Sequence, residues 1–202
     1  MARLARALLL VAVTFCLVAP SASAAPTNLG KTLGNLWTTV LETPTPDNPF
    51  GGGGPQCVVL GGKIVAPFGG GSLTCTVKAG TRIFIAAWTT ECSSFEGDHG
   101  SFGTTEAELR ACAVAADEEV TATVTINGEP VPLSSVETGL LTIHLPQDNI
   151  FDLKGADRNG LSVAHGFVYL TDPLTPGTYI IEGHVVFSDG STDDFMTTII
   201  VQ

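Results

Sequence analysis

Hydrophobic residues along this chain fall mostly in short runs rich in Val, Ile, Thr and aromatic side chains, separated by Gly, Pro, Asn and Asp clusters. Strands are bounded in this way, and the runs predict them over residues 58–65, 73–77, 82–88, 120–126, 140–145, 161–170, 179–187 and 195–201. Between residues 120 and 126, Thr alternates with Val, Ala and Ile, the period-two pattern of a half-buried strand. Asn127-Gly128 then predicts a two-residue hairpin turn, because a type I′ turn needs positive φ at both positions. Ser188-Asp189-Gly190-Ser191 predicts a second hairpin joining the last two strands. Two stretches read differently. Thr105-Glu106-Ala107-Glu108 is a capping box, with Leu109, Ala111, Ala113 and Ala115 continuing as helix formers to Asp117. Leu29, Leu33, Leu36, Trp37 and Val40 recur at helical spacing, so a short N-terminal helix could dock on the core.

About nine strands at this spacing fit a β-sandwich better than an α/β fold. Leu174, Pro176, Gly177 and Tyr179 enter the penultimate strand as an L-x-P-G-x-Y pattern. It resembles the corner of immunoglobulin-like and fibronectin-like sandwiches, where a Tyr hydroxyl bonds back to nearby backbone. The expected fold is therefore mainly β: an immunoglobulin-like β-sandwich with one inserted short α-helix.

The ends of the chain add organisation. Arg3 and Arg6, an apolar run over residues 8–19, Pro20 and Ala22-Ser23-Ala24 make a secretory signal peptide over residues 1–24. Its apolar run is too short for a membrane span of roughly 20 residues. Residues 25–56 contain Pro44, Pro46, Pro49 and the run from Gly51 to Gly54 before Pro55, which predicts a flexible entry segment that could carry the short helix. The sandwich domain then covers residues 57–202. No N-x-S/T sequon occurs, in keeping with a bacterial, secreted protein.

With 20 acidic and 9 basic residues the chain carries a net charge of −11, and it becomes more acidic once Arg3 and Arg6 leave with the leader. No basic stripe exists, which excludes nucleic-acid and anionic-membrane partners and leaves cationic partners and divalent metals open. Of five cysteines, Cys16 lies in the leader. Cys57, Cys75, Cys92 and Cys112 remain as an even set in an oxidising compartment, which predicts two disulfides rather than a zinc site, since none is in a C-x-x-C pair. Three connectivities are open; the sequential one closes the shortest loops, each worth about 3 kcal/mol.

The stretch Cys75-Thr76-Val77-Lys78-Ala79-Gly80 is followed by Glu91-Cys92-Ser93 and Ala107-Glu108-Leu109-Arg110-Ala111-Cys112-Ala113. It resembles a family of secreted bacterial β-sandwich proteins with a C-T-V-x-A-G strand opening, an E-C-S segment and an L-x-P-G-x corner before the last hairpin. The resemblance runs over roughly residues 57–201. That family has no assigned activity, so the resemblance implies the fold, the placement of Cys92 and Cys112, and export. Where its pattern has a D-G-aromatic triplet, this chain has His165-Gly166-Phe167, and no role of an acidic residue carries over.

Four residues could assemble a metal centre. Glu182 and His184 leave one face of a strand, and His144 and His165 sit on neighbouring predicted strands; three imidazoles and a carboxylate can hold Zn²⁺ with a position open for water. Asp152, Asp157 and Asn159 in one loop, and Asp189, Asp193 and Asp194 in another, are candidates for calcium, the one cofactor the sequence suggests, although neither has EF-hand spacing. Asp98-His99 with Ser93, Ser94 or Ser101 is a weak dyad, since neighbouring side chains seldom face each other and no G-x-S-x-G elbow is present. The glycine runs lack the G-K-[ST] end of a phosphate loop. Trp37, Phe50, Phe68, Phe95 and Phe102 sit in or near loops and could line a sugar-binding surface. No motif links nucleophile, base and oxyanion donors. The expected function is that of an exported, non-catalytic sandwich binding an extracellular protein, glycan or envelope component, with a metal-dependent hydrolase using the His/Glu cluster as the alternative.

Overall fold

The computed structural model describes residues 28–51, 53–97 and 101–202; the leader expected over residues 1–24 and the Asp98-His99 pair lie outside them. Among the described residues eleven strands and two α-helices follow one another as α1 (Asn28–Leu41), β1 (Cys57–Gly61), β2 (Ile64–Pro67), β3 (Gly71–Val77), β4 (Arg82–Ser93), α2 (Glu106–Asp117), β5 (Thr121–Ile126), β6 (Glu129–Pro130), β7 (Ser134–Glu137), β8 (Leu141–His144), β9 (Asn159–Leu170), β10 (Gly177–Val186) and β11 (Thr192–Val201). One sheet has the order β1-β2-β4-β9-β7, with β8 also pairing β9; the other has the order β3-β11-β10-β5-β6. Pairing is antiparallel except for β2 with β4 and β3 with β11. The protein is mainly β, a two-sheet sandwich.

Two cores share the first sheet. Ile83 and Ile85 of β4 point into the space between the sheets, against Val77, Val124, Ile181 and Ile199. Phe84, between them in sequence, points the other way, onto Leu33, Leu36 and Val40 of α1. This alternation explains why β4 reads as a nearly continuous apolar run: a strand covered on both faces has no polar face to show. Each fully buried aliphatic side chain on α1 contributes about 1.5–3 kcal/mol. The helix expected near Leu29 is therefore a full layer of the fold rather than an appendage. Gly34 allows its close approach, since a Cβ there would lie 3.1 Å from the Leu141 side chain. The sandwich thus carries, beside the inserted α2, the N-terminal docking helix that the spacing of Leu29, Leu33, Leu36, Trp37 and Val40 allowed.

Local signals are met residue by residue. Thr105 Oγ1 accepts from the Glu108 amide, and Glu108 Oε2 accepts from the Thr105 amide, so both arms of the capping box are made. Asn127 and Gly128 adopt φ of 52° and 83° in the β5–β6 turn. The Tyr179 hydroxyl donates to the Thr175 carbonyl at 3.1 Å, the corner bond expected from L-x-P-G-x-Y. Cysteine pairing is sequential: Cys57 with Cys75, which ties β1 of one sheet to β3 of the other, and Cys92 with Cys112, which ties β4 to α2. The run at 58–65 is two strands, because Gly62 and Lys63 take left-handed φ and turn the chain back. Strand β7, Ser-Ser-Val-Glu, has no apolar alternation to announce it and exists because β9 offers it an edge. Among the described residues no helix is long and apolar enough to cross a membrane.

After α1 the chain folds back through two 3-10 turns held by one buried side chain. Asn48 Nδ2 donates to the Val40 and Thr43 carbonyls at 2.6 and 3.0 Å, and its Oδ1 accepts from the Phe50 amide at 2.9 Å. The proline- and glycine-rich stretch expected to be a flexible entry is thus fastened to the helix end at this point. Asn48→Ala removes three buried or half-buried hydrogen bonds, two of them to carbonyls at the end of α1, so it should destabilise the protein by about 2–4 kcal/mol in urea denaturation.

Candidate functional site

Strand β2 pairs with β4 only at Ile64–Arg82 and Val65–Ile83. Farther along, the edge of β4 borders a cleft of about 590 Å³ between α1 and the first sheet, within the size range of small-ligand sites. One wall is aromatic. Trp37 of α1 meets Phe68 edge-on at 5.7 Å between ring centroids, and Phe50 lies 6.4 Å from Trp37 and 6.0 Å from Phe68. Phe50 is 62% exposed and stands at the mouth, whereas Trp37 is only 6% exposed. Trp88, Phe151, Glu91 and Glu96 also line the cleft.

A break in register puts Glu91 there. Up to Ala86, which pairs with Val168, the even-numbered residues of β4 face α1; a bulge between Ala86 and Trp88 then shifts the pairing by one. Beyond it Glu91 pairs with Ala164, whose side chain belongs to the α1 core, so the odd-numbered residues now face α1. An extra residue re-aims every side chain after it, a device that recurs beside functional sites. Without the bulge Glu91 would point to the opposite face. Gly166 makes room here, since a Cβ on it would collide with Thr89 and the Trp88 carbonyl.

The result is a carboxyl in a dry place. Glu91 is 8% exposed, and burial pushes its pKa up to about 8; nearby Glu96 pushes in the same direction, while hydrogen bonds from Ser162 and Ser93 oppose the shift. Burial raises Glu96 to about 7, against a hydrogen bond from Ser101. Three buried polar atoms on residues that border this cleft, Trp37 Nε1, Trp88 Nε1 and Glu96 Oε2, have no hydrogen-bond partner among the described residues; the Trp88 ring itself packs edge-on against Phe187 at 4.9 Å. Buried polar groups are normally paired, so unpaired ones gathered on the residues of one cleft call for a partner, which a water or a bound group would supply.

The four residues expected to share a metal do not meet. His144 and His165 lie on the first sheet, but His144 is opposite Asn159, six residues along β9 from His165, or roughly 20 Å. Glu182 and His184 are on β10 in the other sheet. Each imidazole has its own local partner: His144 Nδ1 with Asn159 Oδ1 at 2.8 Å, His184 Nδ1 with Asp194 Oδ1 at 2.6 Å, and His165 Nδ1 with Asp117 Oδ2 at 2.8 Å. Among the described residues no group of three or more His, Cys, Asp or Glu is placed to hold a metal ion. Sequence neighbourhood misled here because strands belonging to separate sheets look alike in one dimension.

The loop acids serve turns. Asp152 takes φ of 56° in a turn fastened by Asn149, whose Oδ1 accepts from the Phe151 and Leu153 amides. Asp157 sits in the 3-10 turn Gly155–Arg158, and Asn159 uses its carboxamide on His144 and the Ala156 carbonyl. All three are exposed.

His165 also takes part in a relay that the sequence did not suggest. Thr90 Oγ1 donates to Asp117 Oδ1 at 2.7 Å, Asp117 Oδ2 meets His165 Nδ1, and His165 Nε2 meets Ser135 Oγ at 3.0 Å. The bond order is that of a nucleophilic triad. Ser135, however, sits mid-strand on β7 rather than on a tight turn, and the relay is on the α2 face of the sheet, away from Glu91. Its evident work is structural: Asp117, with a fully buried side chain at the end of α2, obtains the donors that a buried carboxylate requires.

No family model and no curated protein matches the chain. Among solved structures, the cysteine protease inhibitor EhICP2 from Entamoeba histolytica is similar at 11% identity over 69% of this chain and 94% of that one, with a TM-score of 0.27. The sialic acid binding region of a Streptococcus sanguinis SK1 adhesin is similar at 13% identity over 66% of this chain and 27% of that one, with a TM-score of 0.16. Both scores are too low for either likeness to bear on function.

Glu91 makes stability depend on pH in a definite direction. Its pKa rises on folding from 4.5 to about 8, so the native state holds the proton more tightly than the unfolded chain. The stability gained this way is complete below the unfolded value and is lost as pH climbs through the folded one. Between those limits the protein should lose up to about 1.4 kcal/mol per pH unit from this group. Glu91→Gln should remove that slope, leaving the smaller one from Glu96, as read by urea denaturation across the range.

Proposed function

We propose that this chain is an exported bacterial binding module that receives a ligand group in the cleft between α1 and β4. The observation that carries the reading is the unpaired set of Trp37 Nε1, Trp88 Nε1 and Glu96 Oε2 on an aromatic-walled cavity. Export is supported by the leader pattern at residues 1–24 and by the pairing of all four cysteines beyond it, since disulfides persist in oxidising compartments. The resemblance to secreted proteins with C-T-V-x-A-G and E-C-S segments agrees with both. A sandwich presenting such a cleft suits capture of a group displayed on an extracellular protein, glycan or envelope component.

Only two tryptophans occur in the chain, and both line the cleft. Intrinsic fluorescence therefore reports occupancy directly. A titration series of neutral monosaccharides, small ammonium compounds and short peptides should include at least one probe that shifts emission saturably. Phe68→Ala, which opens the aromatic wall, should weaken that probe about tenfold or more while the far-ultraviolet circular dichroism stays unchanged. A series in which no probe moves the emission would overturn the reading.

A further inference from the structure

The cleft contains an electrostatic anomaly. Two carboxyl groups, Glu91 and Glu96, border it, and no Lys, Arg or His is among the described residues that line it. Burying a carboxylate without a countercharge is costly, and a protein avoids the cost by keeping the group protonated. Burial pushes both groups toward the protonated form here, and the proximity of Glu96 adds to the shift of Glu91. A protonated pair is a stored capacity for negative charge, released when something positive arrives. Three other features match a positive guest. The Trp37, Phe50 and Phe68 rings are gathered within 5.7–6.4 Å of one another, and aromatic faces attract cations. Glu96 Oε2 lacks a donor among the described residues. The net charge of −11 draws cations toward the whole surface, and a cleft focuses that field. Trp37 adds a requirement of its own: its buried N–H needs an acceptor, which a bare alkylammonium does not have.

We propose that the ligand group is an organic cation, an ammonium carrying a nearby oxygen, with its charge at Glu91 and Glu96, its carbon portion against the Trp37–Phe50–Phe68 wall and its oxygen toward Trp37 Nε1. This rests on the cleft being a binding site and adds the chemistry of its guest. A neutral sugar would also stack on the wall and satisfy the unpaired atoms, but it would gain nothing from ionised carboxyls. The two guests therefore differ in their response to charge and to pH.

Ethanolamine and choline can each be compared with a neutral isostere, 1-propanol and 3,3-dimethylbutan-1-ol, using tryptophan emission and calorimetry on the purified, oxidised protein, with glucose as the neutral sugar. At least one cation should bind about tenfold or more tighter than its isostere. Its affinity should rise as pH climbs from about 6 to about 8.5, by up to tenfold per pH unit for each proton displaced. Glu96→Gln should reduce the preference for the cation over its isostere, with folding checked by circular dichroism. Equal binding of cation and isostere, an affinity that is flat or falls with pH, or binding of glucose alone would overturn the cation and leave the cleft as a site. Silence from every probe would overturn both.

Discussion

Strand β4 has to serve two cores at once, and most of the architecture follows from that demand. Its inward face needs a second sheet and its outward face needs a helix, so neither α1 nor the β3-β11-β10-β5-β6 sheet is optional. Twelve residues is long for a strand, and no single layer covers all of it. The second sheet covers one end of the inward face; α2 covers the other, where Leu109 and Ala113 pack on Cys92 and Val163. The Cys92–Cys112 bond lies within that contact and holds the helix to the strand.

The bulge at Ala86–Trp88 is where structural and chemical roles separate. Before it, β4 is built for packing, with Ile83, Phe84 and Ile85 alternating between cores. After it, the same strand offers Thr89 and Glu91 to the α1 side and Thr90 to the relay with Asp117. A strand that only had to pack would carry an aliphatic residue at 91. A glutamate there is destabilising at high pH, and its place at an aromatic-walled cleft is the kind of local inconsistency that marks function rather than folding.

How much of this was legible in the sequence depended on the range over which each signal acts. The capping box at Thr105, the Asn127-Gly128 turn and the Tyr179 corner involve residues close in sequence, and each was readable. Disulfide formation followed from cysteine count and compartment, and sequential pairing was one option among three. Trp37, Phe50 and Phe68 were recognisable as ligand-wall candidates, although nothing indicated that they would touch. Glu91 and Glu96 were not legible as a pair, because their position depends on a one-residue slip between β4 and β9, strands more than sixty residues apart in numbering. The histidines failed for the same reason in reverse: similar alternation on β9 and β10 concealed that the strands lie in different sheets. Strand β7 was invisible because its partner, not its composition, makes it a strand.

The second sheet has one further property. Strand β11 is the last element in the chain yet lies in the interior of its sheet, parallel to β3 on one side and antiparallel to β10 on the other. Gln202 closes the seam, donating to the Val77 carbonyl and accepting from the Ala79 amide. Apart from the Cys57–Cys75 bond, residues near 75 must therefore wait for residues near 199 before they pair as a strand, and contacts so distant in sequence form late. Strand β3 therefore emerges well before the one strand that pairs with it, and its open edge is covered only once β11 has been made.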